Sequence, residues 1–297
     1  MKSLNLIVWV GLLLIAPVMA GSTESHELDN VFYCFNNGVR TLPNAPEGFD
    51  AQAALVKKVG FEALAGQGGK SYYQWRQAMD KAGLAMPELY IRMGIGQDRK
   101  ATYDGELKNI IKDVGDRQML IAFVLYNDLK IKDRQEADKI YVEAIQELAD
   151  HCHPSNIKIA IYPHVNLHCE TVVHSVSLAK AANRRNVGAI FNLCHYLKKE
   201  GSQGWKESIK EAFPYLFMVS INGSEDGDTQ KMGMDKLIQP LGEGSFDTYE
   251  LIKYVKDLGY DGLFGLQCYN IKQDCEEALT QSVNTWKSYR QRYRQEN

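Results

Sequence analysis

Apolar residues in this chain come in short runs, and segments of helical periodicity separate them. The clearest stretch lies between Ile157 and His195. The run Ile157-Lys158-Ile159-Ala160-Ile161-Tyr162 breaks at Pro163-His164, and an amphipathic segment follows over 171–183. A second run, Val187-Gly188-Ala189-Ile190-Phe191-Asn192, then ends at Leu193-Cys194-His195. Apolar runs of strand length separated by a helix-length segment read as strand–helix–strand, with both strands buried in a parallel sheet. Both runs end on polar residues able to do chemistry, which is the sequence appearance of the carboxyl-terminal rim of a parallel barrel.

The same alternation extends over the whole chain. Apolar runs predict strands at 31–37, 61–65, 84–93, 119–126, 157–162, 187–192, 215–221 and 262–267. Between them, periodic segments predict helices at 50–59, 71–82, 103–114, 133–151, 171–183, 205–212 and 248–258, with a closing helix from Asp274 that ends on Arg290, Arg292 and Arg294. Asp50 reads as an N-cap, and Gly60, Gly83 and Gly115 as stops. Eight strand-then-helix units, with no internal repeat and no linker, predict an α/β fold of one domain, a closed (β/α)8 TIM barrel. The rival is an open doubly wound sheet. It would need phosphate-cradling glycines after an early strand, and Gly66-Gln67-Gly68-Gly69 lacks that spacing, so no nucleotide cofactor is expected.

Composition changes the picture at one end. Residues 1–20 read as a targeting segment: Lys2 supplies the positive start, Leu6 to Ile15 the apolar run, and Val18-Met19-Ala20 a cleavage site before Gly21. The run is too short for a spanning helix. The expectation is a cleaved signal peptide, a periplasmic or secreted protein with no membrane contact after cleavage, a polar lead-in over 21–30, and a barrel domain over 31–297. With 34 basic against 37 acidic residues, neither nucleic acid nor an anionic membrane is indicated as partner. Of the six cysteines, Cys34, Cys194 and Cys268 fall on or beside predicted strands, where a buried thiol is ordinary. Cys152 with Cys169, or Cys268 with Cys275, have spacings that would permit pairing, and no close CxxC pair is present.

In a barrel the strand tips supply the site. The candidates are Asn36, Arg92, Tyr126, Tyr162, His164, Asn192, His195, Ser220, Asn222 and Gln267. His164 and His195 follow neighbouring strands, so they would present two imidazoles to one cavity, where imidazole serves as proton shuttle or metal ligand. His168 and His174 on the next loop and helix, and His151 and His153 at the far end, read as solvated or capping residues. Arg92 would hold an anionic substrate or tie down a neighbouring carboxylate. Gln267 would hydrogen-bond a substrate hydroxyl or bridge to a neighbouring strand. The connection 222–244 is long for a barrel and reads as a lid or a solvated loop. Its Glu225, Asp226 and Asp228 argue mildly against a phosphorylated ligand, and Lys231 and Lys236 blunt that argument.

The motifs Ile161-Tyr162-Pro163-His164, Phe191-Asn192-Leu193-Cys194-His195, Ser220-Ile221-Asn222-Gly223, Pro240-Leu241-Gly242-Glu243-Gly244-Ser245-Phe246-Asp247 and Gly259-Tyr260-Asp261-Gly262 resemble the sugar phosphate isomerase/epimerase group of the xylose isomerase-like TIM barrel superfamily. The resemblance implies a divalent metal (Mn, Mg or Zn) held by Glu, Asp, His and Glu from strands five to eight, with the two Glu exchanging a proton through an enediolate. Carried over by position, those ligands fall on Tyr162, Asn192, a residue near Ser220, and Gln267, while the substrate-contacting His is kept as His195. Neutral donors replace the carboxylates that a hard cation wants. Any metal would then rest on a rearranged set of His164, His195, Asn192 and Gln267.

Two readings follow. One is an exported enzyme of the isomerase/epimerase or keto-sugar lyase kind, removing a proton next to the carbonyl of a sugar or sugar derivative. There His164 and His195 would be catalytic, and Arg92, Tyr126, Tyr162, Asn192, Asn222 and Gln267 would bind substrate. The alternative is a non-catalytic carbohydrate-binding barrel that lost its metal-ligand carboxylates. A metal-dependent endonuclease of the same superfamily would need a His and acid cluster and a basic surface that the chain lacks.

Overall fold

The computed structural model describes residues 27–115, 117–152 and 154–297. The leader at 1–20 and His153 lie outside these residues. Among the described residues nine strands form, β1 (Phe32–Cys34), β2 (Gly66–Gln67), β3 (Glu88–Ile95), β4 (Ala101–Thr102), β5 (Met119–Leu125), β6 (Ile157–Ile161), β7 (Val187–Asn192), β8 (Leu216–Ile221) and β9 (Leu263–Leu266). The helices are α1 (Phe49–Val59), α2 (Ser71–Ala82), α3 (Leu107–Val114), α4 (Arg134–Cys152), α5 (Val172–Ala182), α6 (Leu193–Glu200), α7 (Trp205–Ala212), α8 (Met234–Leu237), α9 (Thr248–Asp257) and α10 (Cys275–Glu296).

Hydrogen-bonded neighbours run β1-β9-β8-β7-β6-β5-β3-β2, all parallel. The ring closes where Cys34 N–H donates to Ala63 O at 3.3 Å and Ala65 N–H donates to Cys34 O at 2.8 Å. β4 lies outside it, pairing antiparallel with the tip of β3. The barrel expectation therefore holds.

Alternate strand residues face the interior, where Tyr33, Phe35, Ala63, Ala65, Leu120, Ala122, Val124, Ala160, Tyr162, Ile190 and Met218 form one buried cluster. The opposite faces pack on helices, which is why these strands read as unbroken apolar runs. Phe32 stacks on Trp286 with ring centroids 4.4 Å apart, tying α10 to β1; such a pair adds about 1 kcal/mol beyond its buried area.

Several boundaries differ from expectation. At 61–65 only isolated bridges form, and the strand proper is Gly66–Gln67. Helix α3 starts at Leu107, not at 103. Leu193-Cys194-His195 opens α6, a helix the pattern did not predict: Asn192 ends β7 and caps it, its side chain accepting from the His195 N–H. Asn36 and Asn37 lie on a 3-10 turn rather than on the first strand.

The connection after β8 is folded back on the barrel. Gly223 and Gln239 exchange backbone hydrogen bonds at 3.0 and 2.9 Å, and Glu225 N–H donates to Lys236 O at 2.9 Å. Thr229 Oγ1 donates to Leu197 O, and Lys198 Nζ donates to the carbonyls of Gln230 and Met232, each at 2.7 Å. The segment braces α6, the helix that carries His195.

Candidate functional site at the barrel mouth

The tips of β6, β7, β8 and β9 carry Tyr162, Asn192, Ser220 and Gln267, all at most 6% exposed. Asn192 and Ser220 are register partners across β7 and β8. The Tyr162 hydroxyl accepts from Gln267 Nε2 at 3.3 Å, and burial pushes its pKa well up, keeping it a phenol.

The two imidazoles meet here. The rings of His164 and His195 have centroids 3.9 Å apart at 39°, and Tyr162 lies 6.5 Å from the first and 6.1 Å from the second. A turn holds His164, with its N–H donating to Cys169 O and its carbonyl accepting from Leu167 N–H. His164 Nδ1 lies 2.8 Å from Val165 O. A carbonyl only accepts, so in the neutral ring Nδ1 carries the proton and Nε2 holds the lone pair. Burial lowers the pKa of both histidines, and the nearby His164 lowers that of His195 further. Two neutral rings follow near neutral pH.

Unpartnered buried polar atoms gather around the same tips: Asn192 Nδ2, His195 Nδ1, Ser220 Oγ and Asn222 Oδ1. Leaving such groups unpaired costs about 1–3 kcal/mol each, so they are a natural place for a polyhydroxylated ligand or water to bond. Asn222 gives both amide hydrogens to the Gly223 and Leu237 carbonyls at 2.7 Å, so it pins the loop and offers only Oδ1.

Arg92 and Tyr126 sit on the rim. The guanidinium lies 3.7 Å over the Tyr126 ring and bonds Asp128 Oδ1 at 2.5 Å. Its side chain is 55% exposed, which leaves the cation open to an anionic group as well. A cavity of ≈ 480 Å³ runs along Gln67, Gly68, Tyr90, Arg92 and Tyr103. Tyr90 links it to the centre, its ring meeting Tyr162 edge-on at 5.3 Å. The sequence signal for Tyr90 is its inward register on β3, two residues before Arg92.

The superfamily's metal does not fit these tips. Tyr162, Asn192, Ser220 and Gln267 supply no carboxylate. Gln267 Oε1 already accepts from Asn37 Nδ2 at 2.5 Å and Tyr269 N–H at 3.0 Å, and Asn192 Oδ1 caps α6. The rearranged set of His164, His195, Asn192 and Gln267 leaves the imidazoles as its available donors, too few for a hard cation.

His168 and His174 are not solvated, contrary to expectation. Their side chains are 5% and 4% exposed, and both Nε2 atoms bond Asp138 Oδ1, at 2.7 and 2.9 Å. Burial raises the Asp138 pKa, but these two hydrogen bonds outweigh it and hold the carboxyl low. All six cysteines are buried free thiols, so neither pair that spacing permitted is bonded.

A parallel eight-stranded barrel with an imidazole pair at its mouth defines the class, and the sequence comparison agrees. The family model described as xylose isomerase-like TIM barrel matches residues 53–289, and the chain belongs to that family. Inosose isomerase of Bacillus subtilis (strain 168) is 25% identical over 172 residues, 56% of this chain and 60% of that protein. The match thus spans about three fifths of that relative's length. Among solved structures, the IolI protein with a bound zinc atom superposes with a TM-score of 0.68 at 17% identity, over 88% of this chain and 98% of that one. D-Psicose 3-epimerase from Clostridium cellulolyticum H10, solved with D-tagatose, gives 0.63 at 14% identity over 88% and 98%. These structural likenesses establish the fold.

Proposed function

We propose that the protein is an isomerase- or epimerase-like enzyme that removes a proton next to the carbonyl of a sugar or keto-sugar. The observation that carries this is the contact of two neutral imidazoles, 3.9 Å between centroids, at the strand tips. The inosose isomerase and D-psicose 3-epimerase relatives support a reading in which the chain acts on a small polyol or sugar rather than only binding it.

His164 Nε2 takes the proton, the C–H pair becomes a carbon–carbon double bond, and the carbonyl oxygen gathers the negative charge. His195, donating a hydrogen bond from its neutral ring, stabilises that oxygen. Asn192, Ser220 and Gln267 orient the hydroxyls. The proton of the neighbouring hydroxyl passes to the charged oxygen and the His164 imidazolium gives its proton to the former carbonyl carbon, or, without that hydroxyl transfer, back to the carbon it left. No step needs an oxidant, and the His164 imidazole, kept neutral at neutral pH by its burial, is free to act as the base.

The test is exchange of the carbon-bound hydrogen with deuterated water across a panel of keto-sugars and inososes. Wild type exchanges it and folded His164→Ala does not. Equal exchange in both removes His164 from the chemistry. We further propose that the protein is exported through its 1–20 leader. Amino-terminal sequencing of the secreted form should begin at Gly21, and retention of Met1 would refute export by this route.

A further inference from the structure

Asp138, His168 and His174 come from three separate elements and converge on one point beside the rim, where His168 follows β6 and bonds the end of β5. Asp138 lies in the second turn of α4, His168 on the loop after β6, and His174 in the first turn of α5. One carboxylate oxygen and two Nε2 atoms all lie within 4.8 Å of one another. The imidazole planes are inclined at 60° with centroids 5.5 Å apart, as two ligands approaching one ion from different directions must be.

The surroundings fix the rings before any ion arrives. His168 N–H donates to Leu125 O at 3.0 Å, and its ring packs on Tyr141 at 4.9 Å. The Tyr141 hydroxyl donates in turn to Tyr126 O. His174 is anchored by its N–H donating to the capping Thr171 Oγ1. Beside the group lies a cavity of ≈ 370 Å³ bounded by His168, Arg134, Asn166 and Leu167. Arg134 Nε stands 3.9 Å from Asp138 Oδ2, leaving Oδ1 toward the rings.

We propose that Asp138, His168 and His174 bind a zinc ion, with water from the adjoining cavity as fourth ligand, and so clamp α4 to α5. Two imidazoles and one carboxylate are a common zinc donor set, with ligands about 2.0–2.2 Å from the metal. At that bond length tetrahedral ligands stand about 3.3 Å apart, so the Asp138 side chain must withdraw by about half an ångström from its present bonds. With the ion on Nε2, each ring carries its proton on Nδ1. None of its three ligands is assigned to the proton transfer, although His168 shares the loop after β6 with His164.

Full-length protein is stripped with chelator, dialysed against sub-micromolar free zinc and assayed for zinc per chain, with thermal unfolding recorded in parallel. Wild type and His195→Gln should retain one zinc per chain and a zinc-dependent rise in Tm. Asp138→Asn and His174→Gln should lose both. Zinc retained by Asp138→Asn and His174→Gln but lost in His195→Gln would place the ion at the mouth and overturn the proposal, as would no zinc in wild type. Should a variant fail to fold, zinc-edge anomalous diffraction from wild-type crystals decides. A peak between Asp138, His168 and His174 supports the site; a peak elsewhere, or none, refutes it.

Discussion

The hydroxyl of Tyr33 donates to Glu88 Oε2 at 2.9 Å, placing a carboxyl group against the interior side chains of the barrel. Glu88 is 1% exposed and its Oε1 has no partner. Burial raises its pKa to about 7, and the Tyr33 hydrogen bond offsets only part of that rise. The folded pKa thus lies above the unfolded value of 4.5. The folded state holds the extra proton between these values, so this group's contribution to stability is full below about 4.5 and is lost as pH rises through about 7. Glu88→Gln keeps the shape without the charge. Urea unfolding should show it more stable than wild type at pH 8, by up to about 3 kcal/mol, with the gap closing by pH 4. A less stable Gln variant at pH 8 would mean that the ionised carboxylate has a favourable partner.

The imidazole pair titrates in the opposite sense. His164 and His195 have folded pKa values below the ordinary 6.5, so the unfolded chain binds more protons as pH falls. Their contribution to stability is therefore lost as pH drops from about 6.5 through the lowered values. Turnover should follow the same groups, flat at neutral pH and falling on the acid side with a midpoint below 6.5. Removing the base with His164→Asn should cost about 10²–10⁴ in rate and abolish the acid limb, with the circular dichroism unchanged. An acid limb that survives in this variant would assign the titration to another residue.

How much of this was legible in the chain depends on the range over which each feature is determined. Helix α2, Ser71–Ala82 with Gly83 in the left-handed conformation behind it, follows from local periodicity and one stop residue. β7, Val187–Asn192, follows from its apolar run. Helix α6 was invisible because Asn192-Leu193-Cys194-His195 continues the apolar run of β7, and the capping role of Asn192 emerges only once the chain turns. Glu88 and Asp138 were missed for another reason. Their partners are 55 and 36 residues away in Tyr33 and His174, and an isolated acid in a strand or on a helix carries no sign of such a contact. The meeting of His164 and His195 was legible, since adjacency of successive strand tips is a property of the fold class.

Burial also governs the cysteines. It pushes Cys152, Cys194 and Cys275 up to about 12, and Cys34 and Cys169 upward as well. The thiolate is the reactive form. Native protein should therefore show no rapid reaction with an aromatic disulfide reagent, and six equivalents should react after unfolding in guanidinium. Fewer than six under non-reducing conditions would show that oxidation had joined a pair.

Asn222 links the chemistry at β8 to the loop that braces α6. Its Nδ2 donates to the Gly223 and Leu237 carbonyls at 2.7 Å in a fully buried setting. Asn222→Ala orphans both and should cost about 2–4 kcal/mol. Asn222→Asp should be worse at neutral pH, because an oxygen replaces the donor and faces two carbonyl oxygens. Part of that loss should return in acid, where the protonated carboxyl can donate once. Gly223→Ala attacks the same joint sterically, since a Cβ there would lie 2.2 Å from Pro240 O and 2.6 Å from Glu243 O, both backbone atoms. Because Thr229 and Lys198 join this loop to α6, each variant that still folds should loosen the helix bearing His195. Hydrogen exchange at 193–200 should speed up in all three. Unchanged protection there would show that α6 holds its place without the loop.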